Sequence, residues 1–121
     1  MGAIRRTTAV IKIANGGTES TPFRVNDLEY IGLQTPAAFT GATFKFQGAR
    51  FLDETTPANT DWQDILDEAA AAATVTVAGL LGKALSLTAL QSRLAPWPFL
   101  RIVSAGAEAA ERTFHVVAAG S

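Results

Sequence analysis

The fold is decided by the stretch Ala42-Thr43-Phe44-Lys45-Phe46-Gln47, in which apolar and polar residues alternate. Successive side chains of a β-strand point to opposite faces of the sheet, so this alternation is typical of a half-buried strand. Phe44 and Phe46 then share a face with Ala42, and Lys45 lies on the other face. The stretch therefore predicts a strand whose phenylalanines point into a core.

The same pattern recurs in short runs along the chain. These runs are residues 8–13, 28–34, 74–78, 85–87, 99–104 and 112–117. About seven short strands with turn residues between them indicate an all-β sandwich or barrel. Residues 88–94 predict one or two helical turns, which Pro96 and Pro98 end because proline cannot continue a helix.

Residues 61–73 are open to two interpretations. Helix formers at 69–73 allow a helix capped by Thr60 or Asp61. The alternative is a strand over residues 62–66 with an alanine-rich turn leading into residue 74. We favour the strand, because residues 62–67 show no helical stripe of apolar side chains.

Length and composition limit the classes of protein to consider. The chain has 121 residues, 12.7 kDa, a formal charge of −1, no cysteine and one histidine. We expect one domain over residues 1–121, with residues 1–7 as an extended N-terminal arm. The balanced charge argues against nucleic acid as a partner, and the absence of cysteine excludes disulfides and thiolate metal sites. Neither a signal sequence nor a membrane span is apparent, so we expect synthesis in a cytoplasm and no membrane partner.

The candidate catalytic and metal-binding residues carry little signal. His115 lies in the run 112–117, where alternation places it opposite Phe114 and Val116, and no motif supplies a partner for it. Neither a phosphate-binding glycine loop nor a nucleophile elbow occurs. An acidic cluster lacks the spacing of a calcium loop and is interpreted as solvated loop charge. Its members are Asp53, Glu54, Asp61, Asp64, Asp67 and Glu68. We therefore expect no enzyme activity, no cofactor and no metal.

Four residues are candidates for partner binding. Trp62 and Trp97 are aromatic residues of the kind that anchor proteins or sugars, although the favoured interpretation of Trp97 is that it closes one end of the sandwich beside its flanking prolines. Arg5 and Arg6, on the predicted arm, would pair with acidic groups of a partner, and a solvated terminus is an equal alternative.

The order of motifs adds a resemblance. Residues 31–47 read IGLQTPAAFTGATFKFQ and are followed by ILD at 65–67, TVTV at 74–77, a leucine-containing segment at 85–94, WPFLRI at 97–102 and RTFHVV at 112–117. Over about two thirds of the chain this resembles small structural proteins of tailed bacteriophages and prophages.

The resemblance implies a single β-sandwich of jelly-roll or galactose-binding type, placed in a virion. It implies a non-enzymatic capsid decoration protein that stabilises the head shell, with the major capsid protein or other virion proteins as partners. A homo-oligomer is expected. The alternative function is a carbohydrate-binding module of a spike or tail that stacks a host-surface glycan on Trp62 or Trp97, with Asp61 or Asp64 accepting sugar hydroxyls.

Overall fold

The computed structural model describes residues 5–24, 30–50, 59–87, 90–94 and 96–120. In these ranges the chain forms nine β-strands, one four-residue helix and one 3₁₀ turn. The strands are β1 (Arg5–Ile13), β2 (Phe23–Arg24), β3 (Tyr30–Gln34), β4 (Thr43–Ala49), β5 (Gln63–Asp64), β6 (Thr74–Thr76), β7 (Ala84–Ser86), β8 (Phe99–Ser104) and β9 (Arg112–Gly120). The helix is α1 (Gln91–Leu94), and the 3₁₀ turn covers Asn59–Asp61.

The strands form two antiparallel sheets. Sheet A has the order β1-β9-β3-β7, and sheet B has the order β2-β8-β4-β5, with β6 also paired to β4. Four pairs are nested like the two arms of one long hairpin: β1 with β9, β2 with β8, β3 with β7, and β4 with β5 and β6. Folding that hairpin over brings β9 beside β3 and β8 beside β4. This connectivity is that of a jelly roll.

The structure confirms the predicted all-β sandwich, and its strand order is the jelly roll among the two sandwich types expected. It also decides residues 61–73 in favour of the strand. β5 is followed by a tight turn in which Asp67 accepts the N–H groups of Ala69 and Ala71 at 2.9 Å, and Ala70 has a φ of 63°. The two-residue strand β2 is too short for its alternation to be detected in the sequence.

The core between the sheets contains the phenylalanines that the alternation predicted. Phe44 and Phe46 are buried, and Phe44 also packs edge-to-face against Phe114 of β9, with ring centroids 5.5 Å apart. Phe39 contacts both Phe44 and Phe114 in the same geometry, at 5.9 and 5.8 Å. Edge-to-face pairs of this kind add stabilisation beyond the burial of their area. The aromatic cluster therefore links β4, β9 and the loop before β4.

A buried carboxylate fixes one end of the sandwich. Glu108 is 1% exposed and accepts the N–H groups of Thr40 and Gly41, the hydroxyl of Ser104 and the Nε–H of Arg112, all at 2.7–3.0 Å. Burial acts to raise the pKa of Glu108, but the four hydrogen bonds outweigh it and lower the pKa below its ordinary value of 4.5. Glu108 thus joins the loop before β4 to the loop between β8 and β9.

The N-terminal arm expected over residues 1–7 is corrected in part. Residues 5–7 are the first residues of β1 and pair with residues 118–120 of β9, while residues 1–4 lie outside the described ranges. Backbone pairing with β9 holds this segment in the sheet. None of the helices in the described part of the chain is long and apolar enough to cross a bilayer.

Candidate functional site

Trp62, one of the predicted binding residues, is largely covered by the protein itself. It is only 8% exposed and packs with Ala49 and Phe99 in a small second core. The guanidinium carbon of Arg101 lies 4.8 Å from the centroid of its ring, within the range of a cation–π interaction. Because a guanidinium already occupies that approach to the ring, Trp62 offers little surface on which a sugar could stack.

Arg101 belongs to a polar network on the outer face of sheet B. Its Nε–H donates to Gln47 at 2.8 Å, and a second nitrogen forms an ion pair with Glu19 at 3.2 Å. Gln47 in turn donates to Asp64 at 2.9 Å, and Lys45 pairs with the same carboxylate at 2.9 Å. The network therefore spans the sheet from Glu19 to β5.

The charges of this network are matched within the protein. Burial lowers the pKa of Arg101, and the nearby Glu19 opposes that effect. The hydrogen bond from Gln47 lowers the pKa of Asp64, and the hydrogen bond from Lys45 lowers it further. Asp64 is thus occupied by Gln47 and Lys45. It is a poor candidate for the acceptor of sugar hydroxyls.

Trp97 lies on the other side of β4 from Trp62. It is 38% exposed, and its indole covers the backbone of Gly48, so that a Cβ on Gly48 would stand 2.8 Å from the indole Cγ. Gly48 and Ala49 are consecutive residues of a strand and face opposite sides of the sheet, and Trp62 clusters with Ala49. The two tryptophans are therefore not brought together into one site. The position of Trp97 fits the end-closing interpretation and leaves part of the ring accessible.

The acidic cluster is dispersed among local contacts. Asp67 caps its own turn and forms an ion pair with Arg93 at 3.1 Å, and Asp64 lies in the sheet B network. The hydrogen bond from Ala71 lowers the pKa of Asp67, burial opposes this effect, and the hydrogen bond from Ala69 and the charge of Arg93 lower the pKa further. Asp53 and Glu54 lie outside the described ranges. Among the described residues, no group of three or more carboxylate or imidazole side chains is arranged to hold a metal ion.

The outer face of sheet A differs from that of sheet B. We define the sheet A face as the residues of its four strands whose side chains point away from the core, which the pairing register identifies. Those whose side chains the structure describes are Arg6, Thr8, Val10 and Lys12 of β1, Thr113, His115, Val117 and Ala119 of β9, Gly32 and Gln34 of β3, and Ala84 and Ser86 of β7. Most of these side chains are small, β-branched or uncharged, and they cover four neighbouring strands.

Charge is confined to one edge of the sheet A face. Arg6 and Lys12 both lie on β1, and Lys12 forms an exposed ion pair with Glu111 at 3.6 Å. Between them Val10 is 55% exposed; the other large apolar residues exposed in the described ranges are Leu66 and Trp97. His115 is exposed on this face, opposite Val10 in the register, as its alternation predicted. The face spans four neighbouring strands and carries little charge beyond β1.

Of the residues on this face, Arg6 alone is among the four binding candidates predicted from the sequence. Arg5 is the other arginine of the predicted pair and lies opposite Gly120 at the start of β1. The signal that could have revealed the face is present in the sequence. The solvent-side positions of residues 112–117 carry threonine, histidine and valine, where an ordinary exposed strand carries charged residues.

An apolar pocket lies where the two sheets part on the β6 and β7 side. Its volume is about 290 Å³, and its wall is formed chiefly by leucines and a valine from β6, β7 and the adjoining turns. The lining residues are Thr74, Val75, Leu80, Leu85, Ser86, Leu87 and Leu90. No charged side chain lines this pocket, and its polar side chains are the hydroxyls of Thr74 and Ser86.

Comparison with known proteins places the chain in a structural class. It is a two-sheet jelly-roll protein, and its sequence matches no protein-family model and no curated protein. A solved structure with a similar fold is that of the SPBc2 prophage-derived protein YomS, with a TM-score of 0.58 and 12% sequence identity. The alignment covers 99% of this chain and 97% of the YomS chain. The two proteins therefore share one fold over their whole lengths.

Proposed function

We propose that this protein is a non-enzymatic structural protein of a phage virion, a capsid decoration protein that binds the head shell through the sheet A face. The observation that carries the proposal is the face itself, which is broad and weakly charged, with half-buried Val117 near its centre and exposed Val10 on its β1 edge. Surfaces that bury a wide uncharged centre are typical of protein–protein interfaces.

Two further observations support a virion role. The structural neighbour YomS is described as prophage-derived, and it matches this chain from end to end. Jelly rolls occur in viral capsid proteins, although the same fold also occurs in lectins and other proteins, so the site has to carry the functional argument. On the outer face of sheet B, the charged side chains of the network pair with one another, whereas the charge on the sheet A face is confined to β1.

The mechanism follows from linked equilibria. A protein that binds only the assembled shell stabilises it by the free energy of each binding event, and many copies on one shell add their contributions. A copy seated across two capsid subunits resists their separation, because rupture has to expose the sheet A face as well as the capsid surface. The proposed partners are the major capsid protein and further copies of this chain, and the proposed location is the virion.

Co-sedimentation tests this function. Purified protein is mixed with expanded, undecorated capsids of the cognate phage and pelleted, and heat release of capsid contents is measured in parallel. We expect saturable binding at a copy number compatible with the shell symmetry, and raised heat resistance. Protein that stays in the supernatant at saturating concentration contradicts the head assignment, and binding to tails in the same assay replaces it with a tail role.

Matched variants locate the surface. Val117→Glu places a charge at the centre of the sheet A face and is expected to weaken shell binding at least about tenfold. If Val117→Glu lowers the thermal stability, His115→Glu, at an exposed position of the same strand, takes its place. Thr76→Glu is the control, because Thr76 is exposed on sheet B. Equal loss from Thr76→Glu and His115→Glu would contradict a contact through sheet A.

A further inference from the structure

The free edge of β1 carries backbone groups that point away from the protein. In the described part of the chain, β1 pairs with β9 on one side, and its other side is bridged at its end, between Ile13 and Ser20. Near its end, the N–H of Lys12 donates to the Thr21 hydroxyl at 3.1 Å, and its carbonyl accepts the N–H of Thr21 at 3.0 Å. The backbone N–H and carbonyl of Lys12 therefore point away from β9. Because this direction alternates along an antiparallel strand, the backbone groups of Val10, Thr8 and Arg6 face the same way.

These outward positions are open to solvent. Arg6 and Thr8 are exposed, and Val10 is 55% exposed. Within the described ranges, no backbone group is hydrogen-bonded to the outward N–H or carbonyl groups of these three residues. Natural edge strands are commonly protected by charged side chains, proline, bulges or covering segments. Residues 6–10 contain no proline, and Arg6 is the one charged residue among them. In the described part of the chain, the edge beside Thr8 and Val10 is therefore free to pair with another strand.

We propose that a second copy of this chain pairs with this edge, antiparallel, about a two-fold axis at Thr8. In this register Thr8 lies opposite Thr8 of the second copy, and Arg6 lies opposite Val10. Each of the three outward pairs exchanges two backbone hydrogen bonds, about six in total. The product is an isologous dimer in which two copies of sheet A form one continuous eight-stranded sheet.

Two features of β1 favour this register over its neighbours: the positive charges of Arg6 and Lys12, and the hydrogen bonds between Lys12 and Thr21. Moving the axis to Thr7 brings the two Arg6 side chains onto the diagonal of the ladder, where like charges still repel. Moving the axis to Ala9 places Arg6 opposite Lys12. The backbone N–H and carbonyl of Lys12 are already hydrogen-bonded to Thr21 and cannot pair with a second copy. With the axis at Thr8, Lys12 is a diagonal neighbour of Arg6, and its ion pair with Glu111 supplies the compensating charge.

This inference goes beyond the proposed function and does not depend on it, because the dimer forms in solution without any capsid. The dimer also bears on the proposed shell binding, because it changes the surface that would meet the capsid. Edge pairing joins two sheet A faces side by side into one surface twice as wide. The experiments below contain no capsid, so their failure leaves the co-sedimentation test unaffected.

Single-cysteine variants locate the axis, because the natural chain has no cysteine to interfere. Residues in a hydrogen-bonded pair have Cα atoms about 5.5 Å apart, within the range that a disulfide bridges. Under mild oxidation, Thr8→Cys is expected to form a covalent dimer in high yield. Arg6→Cys and Val10→Cys are expected to stay monomeric, since equivalent residues there are about 13 Å apart along the strands. Preferential cross-linking of Val10→Cys, or of Val117→Cys on the sheet A face, would overturn the register.

Sedimentation equilibrium of the full chain tests the association itself. The natural chain is expected to reach a mass of twice 12.7 kDa with rising concentration. Thr8→Pro removes the outward N–H without disturbing the ladder with β9 and is expected to weaken the dimer at least about tenfold. Thr8→Val keeps the N–H and is expected to dimerise as the natural chain does. A natural chain that stays monomeric up to its solubility limit would overturn the proposal, as would undiminished dimerisation of a folded Thr8→Pro variant.

Discussion

Trp97 and Gly48 form a contact that only glycine permits. The indole lies against the strand backbone, and a Cβ on Gly48 would come within 2.8 Å of Cγ and 2.9 Å of Cδ2 of the ring. Real Cβ atoms do not approach other atoms so closely, so a side chain at position 48 has to displace the indole. Gly48 thus allows Trp97 to cover this end of sheet B.

The first prediction concerns this contact. Gly48→Ala is expected to lower the free energy of unfolding by about 1–3 kcal/mol, because the added methyl group overpacks a closed site. Urea denaturation measures the loss, and tryptophan fluorescence reports the displaced indole. In a Trp97→Ala background the same substitution should cost much less. An equal cost in both backgrounds would mean that the indole is not the obstacle.

The second prediction concerns the cation above Trp62. Arg101→Met removes the guanidinium that lies over the ring, together with its bonds to Gln47 and Glu19. We expect a loss of about 1–3 kcal/mol and stronger iodide quenching of Trp62, since the hydrogen bonds to a charged group are lost and the ring is uncovered. Lys83→Met, at an exposed position in the turn before β7, is the control. Unchanged quenching in Arg101→Met would contradict the shielding role.

The third prediction concerns Glu108. Glu108→Gln keeps the shape of the side chain but removes the charge that four donors surround, so we expect a loss of about 2–4 kcal/mol in urea denaturation. Glu111→Gln, which removes one member of the exposed pair with Lys12, should cost less than about 1 kcal/mol. Similar costs for the two variants would show that the buried cluster contributes little.

The fourth prediction concerns pH. The pKa of Glu108 is lowered in the folded protein, so the stability that its charge contributes is present above pH 4.5 and is lost as the pH falls below that value. The melting temperature of the natural chain should therefore decline on acidification below pH 4.5. Glu108→Gln should show a shallower decline, although Asp64 and Asp67 leave it some acid sensitivity. Parallel curves for the two proteins would contradict this assignment.

The fifth prediction separates the two candidate functions. In a Trp97→Phe variant, all tryptophan emission comes from Trp62, because the chain has two tryptophans. We expect no glycan to alter this emission, since Arg101 covers the ring. The matched variant Trp62→Phe reports Trp97, whose ring is partly exposed. A glycan that quenches the first variant would restore the carbohydrate-binding alternative at Trp62.

Local pattern was sufficient for much of the fold. The alternation around Phe44 and Phe46 predicted both the strand and its buried face, because one side of that strand packs on the core and the other faces outward. The strand interpretation of residues 61–73 was also correct. The jelly-roll order is not contained in any single run, since it depends on which distant strands pair.

The candidate site was harder to predict for the same reason. Trp62 is covered by Arg101, and residues 5–7 are held by residues 118–120, so both contacts join residues far apart in sequence. A tryptophan in a polar stretch and a basic segment near the start of a chain look exposed until such contacts are known. The sheet A face likewise arises only when β1, β9, β3 and β7 are placed side by side.

The position of β9 between β1 and β3 has a consequence for biosynthesis. Sheet A cannot close until residues 112–120 have left the ribosome, because β9 separates two strands that were made some 80 to 110 residues earlier. Until then β1 and β3 lack the neighbour that lies between them in the sheet. Late closure of this kind makes folding slow and leaves the nascent chain dependent on protection from aggregation. A nascent chain arrested before residue 112 should therefore be a strong substrate for ribosome-associated chaperones.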